Sequence, residues 1–192
     1  MTNFTFIMNS RLSRKMSTKK SKAVVKRLRH DRNAWRDDET AFVPTSHILR
    51  DFRLSKAMLD ELVFPTNDKQ RLVYSDNHKW IRASYGHSVN IRLPKIGIPV
   101  RSGENLTFFV HGMKARDIES VLRYGLDRNR CPYVDFTDCP NYVRAGAEVL
   151  VHIDVRRFLN AGFRLYNIGP HVFATEFTVP PEFISDIEYL VL

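Results

Sequence analysis

The two short apolar runs around Ser75-Asp76-Asn77 constrain this chain more than any other stretch. Lys69-Gln70-Arg71-Leu72-Val73-Tyr74 precedes that turn-forming triplet. Ile81-Arg82-Ala83-Ser84 follows it and runs on into Tyr85-Gly86-His87-Ser88. The pattern predicts a β-hairpin over Lys69–Ser84. Each run carries an arginine, and a Gly-His-Ser step follows the second. Paired guanidiniums on a rigid hairpin suit a phosphate group best, because the planar fork donates two parallel hydrogen bonds to anionic oxygens.

Three short helices are expected before the hairpin. Val24, Val25 and Leu28 recur at helical spacing within Lys22–His30, which leaves Arg29 and His30 at the end of that helix. Ile48, Leu49 and Phe52 mark a second helix over Ser46–Phe52. Ser55 is a candidate N-cap for a third, reaching Val63 with Met58, Leu59 and Leu62 turned inward, before Pro65. Three small helices followed by a hairpin is the order of a winged-helix module, an analogy that points to nucleic acid. Leu93-Pro94-Lys95-Ile96-Gly97-Ile98-Pro99 is the best boundary. Past it, Leu106–Val110 reads as a strand ending in His111-Gly112. Ala115–Tyr124 reads as an amphipathic helix with Ile118, Val121 and Leu122 on one face, stopped by Gly125. Val149–Ile153, Phe163–Tyr166, His171–Thr175 and Ile187–Val191 are further strands. The expected architecture is therefore α+β, with a tail over 1–22, a first lobe over 23–95 and a strand-rich second lobe over 96–192.

Hydrophobic residues make up 43% of the 192, enough for a buried core, and no apolar run approaches the roughly 18–20 residues of a membrane span. The net charge of +9 is uneven: residues 1–36 hold eleven Lys and Arg against Asp31, giving +10, so the rest of the chain is near neutral at −1. A polyanion partner is expected at that end. The acid-free residues 1–22 have the composition of a mitochondrial presequence, and equally of a basic arm or nuclear signal. The expected compartment is cytoplasm or nucleus, with mitochondrial targeting as the alternative, and the expected state is a monomer. Cys131 and Cys139 lack metal-ligand spacing and anything that suggests secretion, so neither a zinc site nor a disulfide is expected.

The chain shows no Ser-His-Asp order, P-loop, GxGxxG or HExxH. Without a strong carboxylate or thiol base, a site here would work by electrostatics. That suits a phosphate reactant, which needs arginines to place it and to neutralise moving charge. Arg29, His30, Arg82 and one of Arg128 or Arg130 are the candidates, with Arg71 weaker. His111-Gly112 is a second candidate, since glycine lets a ligand approach the backbone. Tyr74, Trp80 and Tyr85 are read as packing or as base-stacking surfaces. His152 and Asp154 are read as structural.

Several of these pieces occur together, in order and at matching spacing, in one known family. Leu28-Arg29-His30, Lys69-Gln70-Arg71, Ile81-Arg82-Ala83, Gly86-His87-Ser88, His111-Gly112 and Gly125-Leu126 resemble the RNA 2′-phosphotransferases of the Tpt1/KptA family. Val149–Asp154 and Gly162–Tyr166 resemble its closing strands. The resemblance runs from about residue 23 to the C-terminus. It implies a winged-helix-like RNA lobe and an NAD-binding lobe akin to ADP-ribosyltransferases. It implies removal of the 2′-phosphate left at an RNA splice junction, chiefly in tRNA. The 2′-phosphate attacks the nicotinamide ribose of NAD and expels nicotinamide. The ribose 2″-hydroxyl then attacks phosphorus, leaving 2′-OH RNA and ADP-ribose 1″,2″-cyclic phosphate.

By the same resemblance Arg29, His30 and Arg82 match the first three members of a catalytic Arg-His-Arg-Arg set, and Arg130 takes the fourth place after a one-residue shift. His111, Gly112, Ser88 and Gly125 are implied on the NAD side, and Lys69, Arg71 and His87 on the RNA side. The chain departs from the pattern at Met113 for a threonine, Tyr85 for a glutamine, Tyr133 and Asp135 for two histidines, and Ile168-Gly169-Pro170 for a Ser-x-Asn step. Two other readings are an ADP-ribosyltransferase that modifies a terminal nucleic-acid phosphate, and an RNA-binding module weakened in catalysis.

Overall fold

A computed structural model of the chain describes residues 19–33, 35–64, 69–101, 109–128 and 131–190. The expectations for residues 1–18, Pro65, Leu106–Phe108, Arg130 and Val191 lie outside the described residues. The chain divides into two compact units, Met1–Val89 and Asn90–Leu192.

In the first unit, α1 occupies residues 19–30. β1 (Val43–Pro44), α2 (Thr45–Asp51), α3 (Lys56–Val63), β2 (Leu72–Tyr74) and β3 (Trp80–Ala83) follow. The strands form one antiparallel sheet in the order β1-β3-β2. Val24, Val25 and Leu28 of α1 are buried against Ile48, Leu59, Val63, Leu72 and Ile81, so three helical stripes cover one face of the sheet. Ser55 caps α3 as expected, its hydroxyl accepting from the Met58 amide at 3.2 Å. Met58 itself is 38% exposed rather than inward, because Leu59, Leu62 and Val63 fill the buried stripe.

The hairpin forms with shorter strands than expected, and Lys69 and Gln70 stay outside the ladder. Its loop is fastened by side chains. The Ser75 hydroxyl accepts from the Trp80 amide at 3.2 Å, and the Asn77 carbonyl oxygen accepts from the Lys79 amide at 3.0 Å. Along β3, Ile81 and Ala83 point into the core, so Arg82 and Trp80 share the other face.

The second unit holds α4 (Leu93–Ile96), β4 (Ile98–Pro99), β5 (Val110–Met113), α5 (Ile118–Tyr124), β6 (Val134–Thr137), β7 (Val149–Ile153), α6 (Val155–Asn160), β8 (Tyr166–Gly169), β9 (Val172–Thr175) and β10 (Ile184–Tyr189). Its strands make one antiparallel sheet, ordered β10-β7-β5-β6-β9-β8-β4. The fold is α+β. His111 and Gly112 lie within β5 rather than past its end, because the β7 ladder continues to Met113. Leu122 is 53% exposed; Ile118 and Val121 alone turn inward from α5. The strand expected over Phe163–Tyr166 begins only at Tyr166, since Phe163 stacks on Phe158 at 4.4 Å instead of joining the ladder. The Asp154 carboxylate caps α6, and His152 sits 3.1 Å from Glu188, so both are structural as read. Both cysteines are free. No helix among the described residues is long and apolar enough to cross a membrane.

Candidate active site

The C-terminal turn of α1 sorts its cations by partner. Arg27 is held by two carboxylates, Asp31 at 2.6 Å and Asp51 at 2.9 Å. Leu28 is buried in the core. Arg29, on the other side, lies against the segment that follows the hairpin. A Cβ added to Gly86 would sit 3.0 Å from the Arg29 Cζ, and that Cζ lies 4.9 Å from the centre of the Tyr85 ring. Gly86 therefore serves two needs at once. Its φ of +76° is cheap only for glycine, and its missing side chain leaves room for the guanidinium.

Gly86→Ala is accordingly expected to act on activity more than on stability. The side chain it meets is the movable end of Arg29, so the guanidinium shifts. The left-handed backbone costs about 1 kcal/mol. Melting curves and turnover measured together check the split: a drop of a few degrees with at least a tenfold loss of turnover.

Ser88 ties the same segment to α1. Its amide donates to the Arg29 carbonyl at 3.0 Å, and its hydroxyl lies 3.0 Å from Nδ1 of His30. Burial, then the neighbouring Arg29 and Lys26, lower the His30 pKa from its ordinary value of 6.5. The ring is thus neutral at neutral pH and able to take up or release a proton. Arg82 is only 7% exposed; its Nη1 donates to the carbonyls of Ala83 at 3.0 Å and Ser84 at 3.3 Å. Its Cζ stands 5.4 Å from the Phe42 ring centre.

His87 is the hub of this group. It is completely buried, and burial pushes its pKa down to about 3, followed by the charges of Arg82, Arg29, Arg36 and His30. The charges that lower it are basic. A neutral ring does not cancel the charge of basic neighbours, and the ligand such a group suits is a multiply charged anion. The resemblance puts His87 on the RNA side, and its ring is fully buried.

Arg36 is not among the residues singled out from the sequence. Its guanidinium donates to the carbonyl of Leu28 at 3.0 Å and to that of Asp31, closing the end of α1 that carries Arg29 and His30. An arginine a few residues past a helix end is a recognised cap, and that was the available clue. Lys69 and Arg71 are half-buried at the approach to β2.

In the second unit, His111 sits on the central part of the sheet, with Nδ1 2.7 Å from the Asp135 carbonyl. A carbonyl only accepts, so Nδ1 carries a hydrogen in this bond. The glycines nearby are filled by the protein. A Cβ on Gly112 would lie 2.8 Å from Val143 Cγ1, and one on Gly125 would lie 2.1 Å from the Val179 carbonyl oxygen. Gly125 ends α5 with φ +83°. Met113 and Tyr133 are both buried, Met113 in the core. Arg128 is exposed.

The chain matches the RNA 2′-phosphotransferase, Tpt1 / KptA family over residues 15–176. It belongs to that family. Proteins named "Probable RNA 2'-phosphotransferase" are similar to it. That of Hahella chejuensis is 30% identical over 160 residues, covering 81% of each chain. That of Flavobacterium johnsoniae is 27% identical over 163 residues, covering 82% of this chain and 85% of the relative. That of Burkholderia lata is 31% identical over 143 residues, covering 70% and 69%. Every residue gathered around His87 lies inside the span matched by the Tpt1/KptA family, which makes the chain a member of a transferase family that acts on RNA.

Proposed function

We propose that this chain removes an internal 2′-phosphate from RNA, chiefly tRNA, in an NAD-dependent reaction. The products are 2′-OH RNA, nicotinamide and ADP-ribose 1″,2″-cyclic phosphate. The observation that carries the reading is the grouping of Arg29 against Gly86, His30 on Ser88 and Arg82 on Ser84, along the segment that holds the fully buried His87. The helix–strand–helix–helix–strand–strand order of the first unit supports a winged-helix-like RNA lobe, over residues 23–95. The seven-stranded antiparallel sheet supports an ADP-ribosyltransferase-like lobe for NAD, over 96–192.

Arg29 and Arg82 hold the 2′-phosphate oxygens and neutralise their charge, so that the phosphate itself is the nucleophile and no base is needed to make one. The family pattern implies Arg130 as the fourth member of the set, and Arg130 lies outside the described residues. His30, neutral and aligned by Ser88, takes the proton of the attacking ribose 2″-hydroxyl and passes one to the RNA 2′-oxygen as that oxygen leaves phosphorus. NAD supplies the ribose that takes over the phosphate. The residues present would fit it at His111, whose Nε2 would accept from a ribose hydroxyl in the tautomer that donates Nδ1–H to the Asp135 carbonyl.

An oligoribonucleotide labelled in one internal 2′-phosphate tests the reading. The label is expected to move into the cyclic phosphate only when NAD is added. Label left on RNA as a stable ADP-ribosylated product identifies instead an ADP-ribosyltransferase that stops after the first step. A further reading, an RNA-binding homologue with weak NAD use, is favoured by Met113 and Tyr133 being buried where the resemblance has a threonine and a histidine. Calorimetry that finds no NAD binding while RNA affinity persists identifies that one.

A further inference from the structure

Trp35 is 58% exposed, which is unusual for the largest apolar side chain. It does not stand alone. Its ring meets that of Trp80 at 5.4 Å between centres, tilted by 32°. Trp80 and Arg82 lie on the same face of β3, two positions and so about 7 Å apart along the strand. The Phe42 ring, under the Arg82 guanidinium, extends that face. Trp35 immediately precedes Arg36, which closes the end of α1 bearing Arg29 and His30. An aromatic surface is thus continuous with the arginine group, and the two meet at Arg82.

We propose that Trp35 and Trp80 form a stacking platform for a base of single-stranded RNA, next to the nucleotide whose phosphate Arg82 holds. The inference rests on the reading of this chain as an RNA 2′-phosphotransferase and adds to it a subsite for the neighbouring nucleotide. The occupant follows from what flanks the platform. Guanidiniums at one edge call for phosphate, and bare indole calls for a flat π-face. A polynucleotide carries both at the spacing of one nucleotide. Stacking accepts any base, so the platform adds affinity without demanding a sequence.

Trp35 and Trp80 are the chain's two tryptophans, so intrinsic emission reports on the platform alone. The full chain is titrated with an unmodified single-stranded oligoribonucleotide, and with one of equal length whose internal positions are abasic. Binding is followed independently by anisotropy of an end label. The RNA carries no 2′-phosphate and NAD is omitted, so a failure of phosphate transfer leaves this result intact, and the reverse. Quenching by normal RNA, with binding of the abasic strand about tenfold weaker and little quenching, supports the platform. Trp35→Ala is expected to weaken RNA binding about tenfold and Trp35→Phe to restore most of it. Trp35 is a surface residue, so neither variant threatens the fold. Equal binding by the abasic strand, emission unchanged on RNA binding, an unaltered Trp35→Ala, or no RNA binding at all overturns the proposal. Emission that responds to a protein partner and not to RNA overturns it as well.

Discussion

Arg82→Lys is expected to lower kcat/KM for 2′-phosphorylated RNA by about 100-fold or more. The net charge does not change; the geometry does. Arg82 is nearly buried, and its Nη1 is already committed to the carbonyls of Ala83 and Ser84. Those bonds fix the plane of the guanidinium, an orientation that a lysine ammonium does not reproduce. An ammonium has no such plane and is more strongly hydrated, so the same pocket desolvates it at greater cost. The fork binds phosphate in the ground state and neutralises charge that moves in the transition state, so KM and kcat should both suffer. Steady-state kinetics on a 2′-phosphorylated oligonucleotide, with a melting curve to show the variant is folded, checks this. Full activity in Arg82→Lys would remove the proposed clamp.

Acid is expected to destabilise the protein through His87, in a window that opens above that of the carboxylates and runs through it. In the folded chain His87 stays unprotonated down to about pH 3, because burial and then Arg82, Arg29 and Arg36 oppose its charge. In the unfolded chain it takes a proton near its ordinary 6.5. Between those values the unfolded state binds the additional proton, so falling pH favours unfolding. The stability that depends on a neutral His87 is complete above about pH 6.5 and lost as pH falls toward 3. From this group alone the slope is about 1.4 kcal/mol per pH unit. His30, also lowered, pulls the same way. Urea unfolding at a series of pH values should show the slope in the wild type and a flatter profile in His87→Gln, which cannot take up the proton. Equal slopes would mean that His87 is solvated or paired otherwise.

Local chemistry was readable where short range governs. Ser55 as a cap, Gly125 as a helix stop and Leu28, Leu59 and Leu62 as buried positions all depend on residues three or four apart. The errors at Met58 and Leu122 share a cause: an apolar residue at the edge of a helical stripe satisfies the periodicity but not the packing. What the sequence could not show is long-range. Arg27 and Arg29 are near neighbours with similar chemistry. Asp51, far along the chain, claims the first, and the Gly86 backbone makes room for the second. Nothing in the spacing distinguishes them, and the resemblance to a family did so instead. The same holds for Arg36, whose targets are carbonyls, and for the sheet order of the second unit, where β5 lies between β7 and β6. From sequence His87 was open between a core histidine and a site residue; its complete burial goes with the packing of its segment on a helix more than fifty residues earlier.

The central claim is that the arginines around His87 receive the 2′-phosphate of RNA, and the amount of that phosphate remaining on the RNA tests it most directly. A single-turnover reaction with enzyme in excess, an oligoribonucleotide bearing one internal 2′-phosphate, and NAD should convert the substrate fully to the 2′-OH form. A protein shown to be folded that leaves the 2′-phosphate in place, with NAD present throughout, would contradict it.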